Sequence, residues 1–166
     1  MRLFRPKLLV SIILVSSLCA ALGCSRIFNC CPPANLLLTQ AEAESIGGLR
    51  MELAYDLRDS RRSSCAYNGR KGEDLYSVGL EVHRFGEGKG PANEAAHRQT
   101  AEKYGSVENI GGVGDSGFLS SVDDGQLHLY ARKGAFGIQI HVKSVLPANE
   151  GREKLIAVAQ LVAKRL

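Results

Sequence analysis

The segment LHLYARKGAFGIQIHV, residues 127–142, has the clearest β-hairpin pattern of the chain. Its apolar side chains recur at every second position, which is typical of strands with one buried face. The apolar positions are Leu127, Leu129 and Ala131 in the first strand and Phe136, Ile138, Ile140 and Val142 in the second. We expect a two-residue turn at Lys133-Gly134 to join the strands. In that register the polar face places His128 and His141 diagonally across the hairpin.

Shorter patterns before the hairpin extend it into a larger sheet. Alternating residues predict strands at 49–56, 63–68 and 76–83. A short strand near Phe118 follows a glycine-rich link, ENIGGVGDSG, at residues 108–117. We therefore expect two groups of three strands.

Three helices separate and flank these strand groups. Thr39 and Glu42 have the spacing of a capping box, so the first helix should start at Thr39. Residues 92–104 contain helix formers without a breaker, and the last helix follows Asn149. The order is α-βββ-α-βββ-α. We expect one α+β domain over residues 36–166, with a single antiparallel sheet of about six strands and helices packed on one face.

The N-terminus has the composition of an export signal. Three cations precede an apolar run from Leu8 to Leu22, and this order is typical of a signal peptide. The run is short for a membrane span, which needs about 20 residues. An ordinary secretory signal and an uncleaved membrane anchor are the alternatives to a lipoprotein signal.

The residues at the end of the apolar run favour the lipoprotein signal. Ala21-Leu22-Gly23-Cys24 resembles the lipobox of bacterial lipoproteins, in which the Cys carries diacylglycerol and becomes the new N-terminus. We therefore expect a signal peptide over residues 1–23, lipidation of Cys24 and a lipidated tether over residues 24–35. The protein would lie in the cell envelope, and in a Gram-negative cell on the outer membrane, facing the periplasm.

The charge balance removes the main argument for a nucleic-acid partner. The whole chain has 21 basic and 17 acidic residues. Residues 1–23 contain three of the basic residues and no acidic one, which leaves 18 against 17 after cleavage. Nucleic-acid binding usually needs a strongly basic surface. The expected partners are the membrane, through the lipid anchor, and an envelope protein.

The cysteines fit an oxidising compartment. Cys19 leaves with the signal and Cys24 takes the lipid, so Cys30, Cys31 and Cys65 remain. Exported thiols can form lasting disulfides. A bridge from Cys65 to Cys30 or to Cys31 would close a loop of about 35 residues and stabilise the fold by about 3–4 kcal/mol.

The segment GVGDSG at residues 112–117 contains two motifs of known enzymes. It matches G-x-G-x-x-G, but a dinucleotide site needs a helix after it, and the strand-like FLSSV follows here. It also contains the GDSG that surrounds the nucleophile of chymotrypsin-like proteases, but no histidine stands in the matching context for Ser116. We expect a turn or bulge here, with no catalytic residue and no cofactor.

The hairpin histidines are the weak candidates for a metal site. His128 and His141, together with a carboxylate, could in principle hold zinc. The simpler interpretation is a solvated sheet face on which both histidines are polar outward residues. We therefore do not expect a metal.

Several short motifs, spread over most of the chain after the signal, resemble small exported bacterial lipoproteins of unknown function that are best represented in actinobacteria. The matching residues are Cys31, Leu37-Leu38-Thr39, Glu42, Cys65-Ala66-Tyr67 and Gly112-Val113-Gly114-Asp115. The resemblance implies Cys31 as the disulfide partner of Cys65, with Cys30 as the alternative. It also implies a PsbP-like fold, an α/β sandwich, and no established activity.

These observations together favour a non-catalytic binding or interaction module, anchored by lipid in the cell envelope. One alternative is an envelope carrier of a small apolar ligand, with a cavity between helices and sheet. Another is a metal-dependent hydrolase that uses the sheet face of His128 and His141.

Overall fold

The computed structural model describes residues 31–122 and 125–166, within which the chain forms four helices and seven strands. The helices are α1 (Ala34–Leu37), α2 (Gln40–Gly47), α3 (Gly90–Tyr104) and α4 (Ala148–Arg165). The strands are β1 (Glu52–Arg58), β2 (Arg62–Lys71), β3 (Asp74–Arg84), β4 (Gly105–Asn109), β5 (Ser116–Val122), β6 (Gln126–Lys133) and β7 (Phe136–Lys143). The expected signal peptide over residues 1–23, Cys24 and Cys30 lie outside the described residues. In the described part of the chain, no helix is long and apolar enough to cross a membrane.

All seven strands belong to one antiparallel sheet, in the order β1-β2-β3-β7-β6-β5-β4. The α+β class and the single sheet are confirmed, but the sheet has seven strands and not about six. The additional strand, β4, has one large apolar residue, Val107, and so shows no alternating pattern. Backbone pairing with β5 makes it a strand.

The hairpin of β6 and β7 turns one residue later than its sequence suggests. Lys133 pairs with Phe136, so the turn consists of Gly134 and Ala135. Gly134 has a φ of 56°, which favours glycine at the first turn position. The expected register was wrong by two residues, and His128 pairs directly with His141 rather than with its diagonal neighbour.

The main core lies between one face of the sheet and the helices α1, α2 and α4. The capping box at α2 is confirmed, because Thr39 accepts from the Glu42 backbone N–H while the Glu42 carboxylate accepts from Thr39. Gly48 ends α2 in the left-handed conformation, with a φ of 75°. On α4, Leu155, Ala159 and Val162 are completely buried. Other fully buried side chains of the described core are Leu38, Ile46, Met51, Val78, Leu80, Val82, Leu129, Ile138 and Ile140.

Helix α3 packs on the opposite face of the sheet, over β4, β5, β6 and β7. On that face Phe118 and Tyr130 form a second, smaller apolar cluster with Phe85, whereas the neighbouring Leu119 and Leu129 point into the main core. The expectation that all helices pack on one face was therefore wrong. Helix α3 has no continuous apolar stripe, so its hydrophobic periodicity could not assign it to a face.

The packed part of the chain begins before residue 36. Cys31 and Ala34 are both completely buried, although both belong to the expected tether over residues 24–35. The Ala34 backbone N–H donates to the Ser63 hydroxyl of β2 at 2.7 Å. The first described residues are thereby held against the sheet.

Candidate functional site

A cavity of about 340 Å³ lies between α3 and the sheet face that α3 covers. Residues on three turns of α3 form its roof, and alternate residues of β5, β6 and β7 form its walls and floor. Tyr104 and Thr100 on α3 are exposed, and so is His141 on β7. The cavity is therefore open to solvent.

The side chains on one wall of the cavity are aromatic rings in nearly parallel layers. The His97 ring of α3 stacks on the Tyr130 ring of β6, with centroids 4.8 Å apart and planes 27° from parallel. The Phe118 ring of β5 stacks against the same tyrosine at 5.3 Å and 18°. The Arg98 guanidinium lies 4.7 Å from the centre of the Phe118 ring, where a cation–π contact is favourable. These contacts hold α3 at a fixed position over the sheet.

The floor of the cavity contains the histidine pair of the hairpin. Because β6 and β7 are paired with His128 opposite His141, both side chains point to the face that α3 covers. Their ring centroids are 4.6 Å apart and the rings are nearly perpendicular, at 86°. Gln139, two residues before His141, faces the same cavity.

All four histidines of the chain lie on this face of the sheet. His83 of β3 has its ring 5.9 Å from that of His97, and it packs edge-on against Phe85 at 4.6 Å. Strand alternation already predicts the polar face for His83, His128 and His141. It could not find His97, because nothing in the sequence of α3 indicates that this helix crosses over the hairpin.

The four imidazoles are neutral at pH 7. Burial lowers the pKa of His83, His97 and His128 below its usual value. The pKa of His141 falls to about 4, first because nearby protein atoms reduce the hydration of the charged ring and then because His128 would repel a second charge. A neutral imidazole has one nitrogen that donates a hydrogen bond and one that accepts.

The polar groups of the cavity are largely without protein partners. Within the described residues, the side chains of His97, His128, Gln139 and His141 make no hydrogen bond. Ser120 donates to the His128 carbonyl oxygen at 3.4 Å. Free donors and acceptors on the walls of an apolar cavity are what a small-molecule site needs to orient its ligand.

The candidate metal ligands in the cavity are His128 and His141. Within residues 31–122 and 125–166, no group of three or more His, Cys, Asp or Glu side chains could hold a metal ion. The structure does bring His128 and His141 together, more closely than the diagonal arrangement would. The nearby carboxylate of Glu81 is paired with Arg62 and joins no such group with the two histidines. The zinc alternative stays a prediction.

The two cysteines that the resemblance implies as disulfide partners are both buried. Cys31 and Cys65 are free thiols in the structure, and each is completely buried. Burial raises the pKa of both thiols, for Cys65 to about 12. The disulfide of Cys65 with Cys31, or with Cys30, stays a prediction. Cys24, the expected lipid site, lies outside the described residues.

The GVGDSG segment supports the hairpin. The Asp115 carboxylate accepts from the Gly134 backbone N–H at 2.7 Å, and the Asp115 N–H donates to the Arg132 carbonyl oxygen at 2.7 Å. The Ser116 hydroxyl donates to the carboxylate of Glu94 at 2.6 Å. The segment therefore has a structural role at the hairpin turn.

Comparison with protein-family models, with curated proteins and with solved structures found no match to this chain. The evidence for the function of this chain is therefore its cavity and its sequence.

Proposed function

We propose that this chain is a lipid-anchored, non-catalytic protein of the cell envelope that binds a small molecule in the cavity under α3. The cavity carries this proposal, because aromatic walls and unpartnered polar groups face the same solvent-accessible space. Its volume of about 340 Å³ falls at the lower end of the range for small-molecule sites, about 300–1,000 Å³. The export signal and Cys24 support the location.

Binding fits the site better than hydrolysis does. A hydrolase needs a nucleophile, a base and an orienting group within hydrogen-bond reach of one another. The cavity hydroxyl of Ser120 instead points to a backbone carbonyl oxygen, and Thr100 likewise donates to the carbonyl oxygen of Ala96. Neither hydroxyl is bonded to an imidazole that could take its proton.

A bulky side chain at Ala101 tests the proposal. Ala101 lines the cavity from α3, so Ala101→Trp should fill it. Ala95→Trp is the matched control, because Ala95 is an exposed residue of the same helix that does not line the cavity. The chain has no natural Trp, so the introduced indole is the only one in each variant.

The measurement is the small molecule that copurifies with protein extracted from envelopes, identified by mass spectrometry after denaturation. We expect one compound, close to equimolar with the protein, in the wild type and in Ala95→Trp, and its loss in Ala101→Trp. A wild-type protein without such a compound, or a compound that stays in Ala101→Trp, would refute the proposal.

A further inference from the structure

We infer that the ligand of this cavity is an uncharged molecule with a flat aromatic body and a hydrogen-bonding edge. The inference rests on the proposed function and adds the chemical class of the ligand. The flat body would lie along the ring layer of His97, Tyr130 and Phe118, and the polar edge would meet His128, Gln139 and His141.

The aromatic side chains of the cavity wall favour an aromatic, and therefore flat, ligand body. The rings of His97, Tyr130 and Phe118 form a stack of layers, tilted by 27° and 18° between neighbours, and all three residues line the cavity. An aromatic ligand can pack against such rings in offset-stacked or edge-on geometry, which adds to the burial of apolar area. An aliphatic molecule of the same volume would not gain these ring–ring contacts.

The charges near the cavity select an uncharged ligand. Among the described residues that line it there is no Asp, Glu, Lys or Arg. Of the charged groups nearby, Glu81 is paired with Arg62, and Arg132 is paired with Glu94 and Asp115. Arg98 lies over the Phe118 ring and donates to Asn109 at 2.6 Å. An ionised ligand would lose water and meet no oppositely charged side chain in the lining of the cavity, which is unfavourable.

The polar side chains on the floor of the cavity favour a ligand with a polar edge. His128 and His141 can each donate or accept, and the Gln139 amide can do both. An apolar ligand would cut these groups off from water without replacing their hydrogen bonds, and a buried unpaired polar group is destabilising. A ligand with a hydroxyl, amide or ring N–H at one edge avoids that loss.

Two fluorescent probes with the same aromatic skeleton test the charge. N-phenyl-naphthylamine is uncharged at neutral pH, whereas anilinonaphthalene sulfonate has the same rings and one negative charge. Fluorescence titration of the purified protein should give a dissociation constant at least about tenfold lower for the uncharged probe, a difference of about 1.4 kcal/mol. Both probes should bind to Ala95→Trp as to the wild type, and neither to Ala101→Trp. Thr100→Trp, at the exposed rim, replaces Ala101→Trp if that variant does not fold.

A second pair of compounds tests the polar edge. Naphthol and methylnaphthalene have nearly the same shape, but only naphthol forms hydrogen bonds. Naphthol should displace the bound uncharged probe at a several-fold lower concentration. That preference should shrink in Gln139→Leu and in His141→Leu, which replace the polar groups of the floor.

The outcomes separate the ligand class from the existence of the site. If charged and uncharged probes bind equally well and both are lost in the tryptophan variants, the cavity is a binding site but the ligand class is wrong. If methylnaphthalene competes as well as naphthol, the polar edge is wrong. If probe binding does not change in the tryptophan variants, both the class and the proposed function fail.

Discussion

At Gly114 the backbone is in the left-handed region, with a φ of 65°. A Cβ at this position would also collide with the carbonyl oxygen of Arg132 in the hairpin. Glycine therefore serves two purposes here, since it tolerates the positive φ and lets the loop before β5 approach the backbone of β6. The carboxylate of the following Asp115 can reach the hairpin turn only because of that approach.

We expect Gly114→Ala to destabilise the protein by about 2–4 kcal/mol, since it combines backbone strain with a steric clash. The free energy of unfolding from urea titration is the measurement. Gly111→Ala is the matched control, because its φ is not in the left-handed region and nothing lies within 4 Å of the added Cβ. Equal stability of the two variants would contradict the role assigned to Gly114.

An ion pair joins the start of α2 to the end of α4. The Arg165 guanidinium donates to both carboxylate oxygens of Glu42, at 2.7 and 2.9 Å, and to the carbonyl oxygen of Leu37 at 2.6 Å. Glu42 also forms the capping box of α2 with Thr39. These contacts, led by the Arg165 hydrogen bonds, lower the pKa of Glu42 to about 2. One carboxylate thus holds two helices on the same side of the sheet.

We expect Glu42→Gln to reduce the free energy of unfolding by about 1–2 kcal/mol at pH 7, because charged hydrogen bonds are lost. The pKa of this carboxyl is lower in the folded state than its ordinary value of 4.5, so its contribution is complete above pH 4.5. It disappears as the pH falls through about 2.

Urea titrations between pH 7 and pH 2 should therefore show the difference between the wild type and Glu42→Gln shrinking below pH 4.5. In the control Glu150→Gln, only an exposed pair with Lys154 one turn along α4 is lost, and we expect a change below about 0.5 kcal/mol. A Glu42→Gln effect that is the same at all pH values would rule out the ionic contribution.

The elements that short-range patterns could predict are those whose partners lie close in sequence. The capping box of Thr39 and Glu42 spans three residues, and the hairpin of β6 and β7 needs only one turn. Strand β4 and the position of α3 depend on pairing and packing with distant residues. Local sequence patterns therefore do not predict them. The expected hairpin turn was misplaced by one residue, which shifts the register by two, because Gly134 fits either position of a two-residue turn.

In the candidate site, too, local patterns predict the features that depend on nearby residues and miss those that depend on distant ones. Alternation in β6 and β7 predicts that His128 and His141 share a polar face, and the structure confirms that they meet there. The interpretation of that face as simply solvated missed the cavity, because α3 covers it. His97 and Tyr130, which form the aromatic wall, come from elements whose contact is a property of the tertiary fold.

The expected lipid site, Cys24, lies only a few residues before the folded domain. Cys31 is completely buried, and seven residue steps separate it from Cys24. A chain of that length can span at most about 25 Å. If Cys24 carries the lipid, the domain is held within about that distance of the membrane surface, where it can meet a ligand that partitions into the bilayer.

We expect Cys24→Ala to abolish palmitate labelling and to move the protein from the membrane fraction to the soluble fraction. The acyl chains hold the protein at the membrane because each buried CH₂ contributes about 0.8 kcal/mol. Cys30→Ala is the control: it removes a neighbouring thiol that is not in the lipobox, and should stay labelled and membrane-bound. The Ala101→Trp variant should also stay in the membrane fraction, since the anchor does not depend on the cavity. Continued labelling of Cys24→Ala would show that another residue carries the lipid, and an unlabelled wild type would leave the cavity without its membrane anchor.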